Sequence, residues 1–192
     1  MKGRTLGIVL LLLSMAVSLP LVWLRLQTRP TEREARLVAG ARSCLGDVYD
    51  ADRYEGGPPP RGRSACTDVV YWAYRPVLDL RQAVKDDRIA NGDEPLDPDL
   101  DYRWCPRLIL WFQRHAISLP TEVNRDTVLT FRAGDVIFFS DGESRSGTAH
   151  VGIVSDRWSL EGKPLLIHNP GPRGVEENAL TATRIVGHFR LP

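Results

Sequence analysis

The sequence has almost no net charge: 25 lysines and arginines stand against 24 aspartates and glutamates, a formal balance of +1. The basic residues are scattered among acidic ones rather than gathered in a stripe, so nucleic acid is excluded as an expected partner. Internal repeats and low-complexity stretches are also lacking. What remains is a chain of 192 residues, 43% hydrophobic and 26% charged, which fits one globular domain with a real core. Cysteine is scarce. Cys44, Cys66 and Cys105 are the only three, no two of them have the spacing of a ligand pair, and the histidines stand apart, so no metal site and no cofactor are expected. Three cysteines suit an exported protein with one disulfide and one free thiol; the expected pair is Cys44–Cys105, leaving Cys66 free.

Long apolar runs are confined to the amino end. Lys2 and Arg4 precede an apolar run over residues 6–24, interrupted only by Gly7, Ser14, Ser18 and Pro20. That is near the ~20 residues needed to span a bilayer and longer than the usual signal-peptide core. Residues 1–27 therefore read as an uncleaved signal anchor. Ala16-Val17-Ser18 is a small-x-small triplet that would suit a cleavable signal instead. Basic residues flank the run on both sides, so the positive-inside rule does not fix its orientation. Either way, residues 28–192 are expected outside the cytoplasm.

The chain is organised around Ser64 to Tyr74. Cys66 opens the run Cys66-Thr67-Asp68-Val69-Val70-Tyr71-Trp72-Ala73-Tyr74, which reads as a helix beginning at the thiol, and the Gly- and Pro-rich stretch Tyr54-Glu55-Gly56-Gly57-Pro58-Pro59-Pro60 must approach it as a loop. The unpaired N–H groups and positive dipole end of a helix stabilise an anion on its first turn. A thiol there titrates below its ordinary range of about 8.5. A buried, inert cysteine is the alternative.

Around this stretch, residues 31–48 read as an amphipathic helix capped by Thr31, with Leu37, Val38, Ala41, Cys44, Leu45 and Val48 along one face. Further helices are expected over residues 78–89 and 105–115, with Pro106 in the first turn of the latter. The acidic stretch 91–101 fits no calcium loop and reads as a surface loop. Beyond Pro120 the pattern changes to short strands, over residues 128–131, 136–139, 150–154, 165–168 and 185–191, with a polar loop at 141–147. Helices first and strands afterwards predict an α+β domain, its helices packed on one face of an antiparallel sheet.

The strand half supplies two histidines for the thiol. His150 opens the strand His150-Val151-Gly152-Ile153-Val154, where Gly152 leaves space for a close approach, and His168 closes Leu165-Leu166-Ile167-His168. Neighbouring antiparallel strands can set the two rings side by side. With Tyr54 and Gly56-Gly57, Cys66, Gly134-Asp135, His150-Val151-Gly152-Ile153 and Ile167-His168, the chain resembles the papain-like NlpC/p60 superfamily of bacterial cell-wall cysteine peptidases. More closely it resembles family 1287 among the domains of unknown function, through Cys66-Thr67-Asp68-Val69-Val70, residues 135–139 and 150–156, Ile167-His168-Asn169 with Gly171, and Gly187-His188-Phe189-Arg190. The resemblance spans about residues 31–191.

The resemblance implies Cys66 as nucleophile, His150 as general base and acid, and His168 as the group that orients it. It implies Tyr54 lining the site, with Tyr54, Asp68 and Asn169 on the substrate and the Cys66 N–H in an oxyanion hole. Ala65-Cys66-Thr67-Asp68 departs from the superfamily's common Asp-Cys-Ser-Gly, so Asp68 reads either as a contact for a cationic substrate group or as a helix cap. His188 reads as structural. The implied function is hydrolysis of an amide bond in peptidoglycan stem peptides, in the periplasm or on the inner membrane facing it, with no cofactor. The alternatives are the same centre acting on a lipid or protein amide or thioester, and a non-catalytic wall- or partner-binding domain.

Overall fold

The computed structural model describes residues 29–52, 54, 56–94, 96–140 and 148–192. The signal or anchor segment and the loop at 141–147 lie outside the described residues. No helix among those described is long and apolar enough to cross a membrane.

Helix α1 (Glu32–Arg42) begins at Thr31, whose hydroxyl accepts the Glu34 N–H while the Glu34 carboxylate accepts the Thr31 N–H, a reciprocal cap for two otherwise orphaned donors. Leu37, Val38 and Ala41 are buried. The helix stops six residues short of the expected Val48, because the chain turns at Gly46, with φ +83, into the short strand β1 (Val48–Tyr49). Leu45 and Val48 are accordingly exposed rather than on a buried helix face. Strand β1 pairs in parallel with β2 (Arg63–Ser64), which delivers the chain to helix α2 (Cys66–Tyr74). Helices α1 and α2 pack closely: a Cβ at Gly40 would run into the Trp72 carbonyl. Helix α3 (Leu80–Asn91) is capped by Asp79 at one end and by left-handed Gly92 at the other. Helix α4 (Cys105–His115) carries Pro106 in its first turn. The acidic stretch before it is not wholly a surface loop. Asp101 is buried under Arg88 and Arg107 and starts a 3-10 turn (Asp101–Arg103).

The sheet has the order β3 (Ile117–Ser118), β8 (Ile185–Arg190), β4 (Val136–Phe139), β5 (His150–Trp158), β6 (Pro164–His168), β7 (Val175–Glu177). Every pairing is antiparallel. Residues 128–130 form a 3-10 turn instead of the expected strand, and β3 and β7 are strands that the sequence pattern did not mark.

Side-chain alternation gives the sheet two faces. Val136, Phe138, Val151, Ile153, Ile167 and Phe189 meet the helices, and Phe138 packs against Phe112 and Phe189 at ring distances of 5.7 and 5.9 Å. Each such fully buried ring contributes roughly 1.5–3 kcal/mol. Ile137, Phe139, Val154 and Leu166 face the other way, where Phe131, Leu180 and Ile185 cover them. His150, Gly152 and His168 share this second face near one end of β5 and β6. Asp135 anchors the opposite end of β4: it accepts from His188 at 2.9 Å and from Arg190 at 2.7 Å, and His188 stacks on Phe131. His188 is structural.

Candidate active site

Cys66 is the first residue of α2, and the residue before it, Ala65, has no side chain to cap the helix. Asp68 does so instead, accepting the Ala65 N–H at 2.8 Å. The Cys66 N–H, in the first turn, has no intrahelical acceptor and belongs to the positive end of the helix. Thr67 is tied down through its hydroxyl to the Arg103 carbonyl at 2.9 Å.

Cys66 is 7% exposed, and its thiol meets three groups. Its sulfur lies 3.8 Å from that of Cys105, the first residue of α4. The hydrogen bond from Cys105 holds Cys66 well below the ordinary thiol range, burial opposes this, and a hydrogen bond and charge from His150 and the Val151 N–H reinforce it. Cys105 moves the other way, pushed well up because its proton is held on Cys66 and because it is buried beside that thiolate. The third thiol, Cys44, is pushed up to about 12 by burial. All three thiols are free. The expected Cys44–Cys105 disulfide is not formed, and the sulfur beside Cys105 is that of Cys66.

The histidines join the thiol to a carboxylate. His150 Nε2 lies 2.7 Å from His168 Nδ1, and His168 Nε2 lies 3.1 Å from Glu177 Oε1. The sheet builds this row. Ile153 pairs with Ile167 and Val154 with Leu166, which brings His168 across from Gly152 rather than from His150. A Cβ at Gly152 would sit 3.0 Å from the His168 Cβ. Glycine therefore lets the His168 ring cross the strand to reach His150. The close approach expected at Gly152 is that of a side chain. Glu177 pairs opposite Leu166, on the same face as His168.

Elementary donor counting orders the protons along the row. A carboxylate only accepts, so His168 carries its proton on Nε2 and offers Nδ1 as an acceptor. His150 then carries its proton on Nε2, and its Nδ1 is left as the basic nitrogen for the thiol. Burial, then the charge of His150, holds His168 below the usual imidazole range, with Glu177 pulling against both. The arrangement can generate a thiolate and keep its proton close by.

Glu177 was missed in the sequence, where it sits in the short acidic stretch Glu176-Glu177 between the strands expected at 165–168 and 185–191. We expect Glu177→Gln, which keeps an acceptor oxygen, to change the pH dependence of Cys66 alkylation little. Glu177→Ala should raise the alkylation midpoint and slow the reaction by about 3–10-fold, since a hydrogen bond to a charged, half-exposed group contributes roughly 1 kcal/mol.

Of the residues expected on substrate, two are used inside the protein. Asp68 is fully buried and receives Arg103 Nε and Nη2 at 2.7 Å each. The carboxylate thus caps the helix and is turned to Arg103 in the interior rather than to solvent. Asn169 is fully buried too, donating to the Asp47 carbonyl at 3.2 Å and to the Ser64 carbonyl at 2.9 Å, which ties β1 and β2 to the end of β6. Tyr54 gives its hydroxyl to Asp50, and Arg103 lies 4.5 Å from its ring, so it braces the loop. The tyrosine that feels the thiols is Tyr49, half-exposed at the end of β1: burial and then the charges of Cys66 and Cys105 push its hydroxyl up.

A cleft of about 350 Å³ opens beside the two histidines, walled by Phe139, Leu166, Ala179 and Ala182 with Glu177 at its side. Among the described residues no His, Cys, Asp and Glu cluster is arranged to hold a metal.

Comparison with known proteins shows what the chain is similar to. The family model described as a domain of unknown function, DUF1287, matches residues 33–191. The uncharacterized protein YijF of Escherichia coli is 36% identical over 166 residues, covering 79% of this chain and 78% of that protein. Among solved structures, an N-acetylmuramoyl-L-alanine amidase from Bacteroides uniformis is similar with a TM-score of 0.53 at 14% identity, covering 84% of this chain and 100% of that one. An NlpC/P60 family protein from Bacillus cereus is matched with a TM-score of 0.46 at 19% identity, covering 86% of this chain. The chain spans only 43% of that protein's length.

Proposed function

The chain belongs to the DUF1287 family, and on that footing we propose that it is a cysteine hydrolase cleaving an amide bond in the stem peptides of peptidoglycan. The observation that carries this reading is the row from the Cys66 thiol through His150 and His168 to Glu177, with ring-to-ring and ring-to-carboxylate distances of 2.7 and 3.1 Å. The amidase-like fold supports the choice of substrate.

In this mechanism His150 Nδ1 takes the Cys66 proton, and the thiolate attacks the amide carbonyl carbon. The Cys66 N–H, at the helix start, stabilises the developing oxyanion. As the carbon–nitrogen bond breaks, its electron pair leaves with nitrogen, and His150 returns the proton to the departing amine. A thioester to Cys66 remains. Water, deprotonated by His150, attacks it, releasing the acid and restoring the thiol. His168 keeps His150 in the productive tautomer, and Glu177 does the same for His168. Tyr49 and the cleft beside the histidines contact the substrate. Residues 1–27, as an anchor or a cleaved signal, bring the domain to the periplasm, where this substrate lies.

The test is digestion of purified peptidoglycan by the full-length protein, beside Cys66→Ala, with released fragments read by mass spectrometry. The expected result is stem-peptide fragments that disappear with the substitution. Folded protein whose Cys66 is reactive but which releases no fragment would overturn the substrate assignment. The apolar wall of the cleft favours the second reading, an acyl amide or thioester of lipid or protein origin, in that outcome.

A further inference from the structure

Cys105 has no place in the hydrolytic steps, yet its sulfur stands 3.8 Å from the Cys66 sulfur. Both residues open a helix, so two positive helix ends converge on the pair. Both are nearly closed to solvent, at 7% and 5% exposure. We propose that Cys66 and Cys105 are a redox pair: under oxidising conditions they close to a reversible disulfide that shuts the site and shields Cys66 from irreversible oxidation. The inference rests on the reading of Cys66 as the reactive thiol.

The chemistry follows the proton order at the pair. The titration of Cys66 is pushed down and that of Cys105 up, and since it is a thiolate that attacks an oxidant, Cys66 is the sulfur that reacts first. With a peroxide as oxidant, the Cys66 thiolate attacks one oxygen, the O–O bond breaks, and hydroxide leaves; Cys66 is now a sulfenic acid. The Cys105 sulfur then attacks the Cys66 sulfur. Its proton joins the departing hydroxyl as water, and two sulfurs have been oxidised at the expense of one peroxide. The sulfurs, 3.8 Å apart, must approach by about 1.8 Å to reach disulfide bonding distance. Peroxide is small enough for so enclosed a pair. Cys44 does not compete, because its buried thiol, pushed up to about 12, stays protonated.

The experiment treats the full-length protein with hydrogen peroxide, alkylates all remaining thiols in denaturant, digests without reductant and reads the peptides by mass spectrometry. The expected product is one cross-linked pair containing Cys66 and Cys105, with Cys44 alkylated, and dithiothreitol returns both thiols. In Cys105→Ser the same peroxide should carry Cys66 to sulfinic acid that dithiothreitol does not reverse. In Cys66→Ser, Cys105 should remain a thiol. Circular dichroism of both variants establishes that they are folded. The inference is overturned if the wild type accumulates Cys66 sulfinic acid as fast as Cys105→Ser does, if the link involves Cys44, or if both thiols stay free. The readout is mass rather than turnover, so a protein that leaves peptidoglycan intact can still form the link, and one that digests it can still fail to.

Discussion

Replacing His150 by alanine is expected to lower peptidoglycan hydrolysis by about 10²–10⁴-fold, the range over which a positioned general base acts. Two effects combine. The base that takes the Cys66 proton is gone, and so is the cation that holds the thiolate, because His150 lowers the Cys66 titration both by hydrogen bond and by charge. The thiolate fraction at a given pH falls when the titration moves up, so alkylation of Cys66 in His150→Ala should require a more alkaline pH than in the wild type. The shift should be partial, since the hydrogen bond from Cys105 and the Val151 N–H remain. His168 does not substitute for the lost ring, because it reaches the thiol only through His150. Rates and alkylation measured across pH for both proteins check this: loss of activity with an unmoved alkylation profile would mean that His150 acts on something other than the sulfur.

The largest effect on stability is expected at Asp68. Its carboxylate holds the Arg103 guanidinium by two bonds of 2.7 Å and caps α2 through the Ala65 N–H. Arg103 in turn donates to the Asp50 and Asp52 carbonyls, so the pair also ties down the chain just beyond β1. Burial raises the Asp68 carboxyl while Arg103 pulls it back, which is the balance expected when desolvation offsets attraction. For such a pair, deleting one partner costs more than the pair contributes, because the other charge is left buried and uncompensated. Asp68→Ala is therefore expected to cost about 3–5 kcal/mol, a fall in Tm on the order of 10 °C for a domain of this size. Arg103→Ala should cost a similar amount, and the double variant far less than the sum. Thermal denaturation of the three proteins decides it; additive losses would mean that the two side chains act independently.

These two residues also mark where the sequence was legible and where it was not. Cys66 at a helix start, and His150 and His168 at strand ends, were readable because each sits at a boundary drawn by local rules: the Gly- and Pro-rich loop before the thiol, the apolar alternation of the strands, and the spacing that pairs them. Helix α4 was read correctly over Cys105–His115, since Pro106 and a dense apolar face mark it. Asp68 was left between two roles, because the choice depends on Arg103, 35 residues away, and no periodicity links the two. Glu177 was invisible for the same reason. It belongs to a three-residue strand whose sequence is polar, and only the sheet register brings it to His168. Tyr54 was named on motif position and Tyr49 was not singled out, whereas the parallel pairing of β1 with β2 carries Tyr49 toward the thiols. The Cys44–Cys105 pairing was inferred from a count of cysteines, and a count says nothing about which sulfurs meet. Helix α1 was drawn too long because its apolar face continues in sequence past Gly46, where the backbone turns.

The central claim is that Cys66 is a thiolate held ready by its surroundings, and the three cysteines supply their own controls. The full-length protein would be alkylated with iodoacetamide for short times across pH 5–10, with each cysteine quantified by peptide mass spectrometry. The account predicts that Cys66 labels well below the ordinary thiol range, while Cys105 and Cys44 stay unlabelled there because their titrations are pushed up. Labelling of Cys66 only at alkaline pH, in step with Cys44, would contradict it.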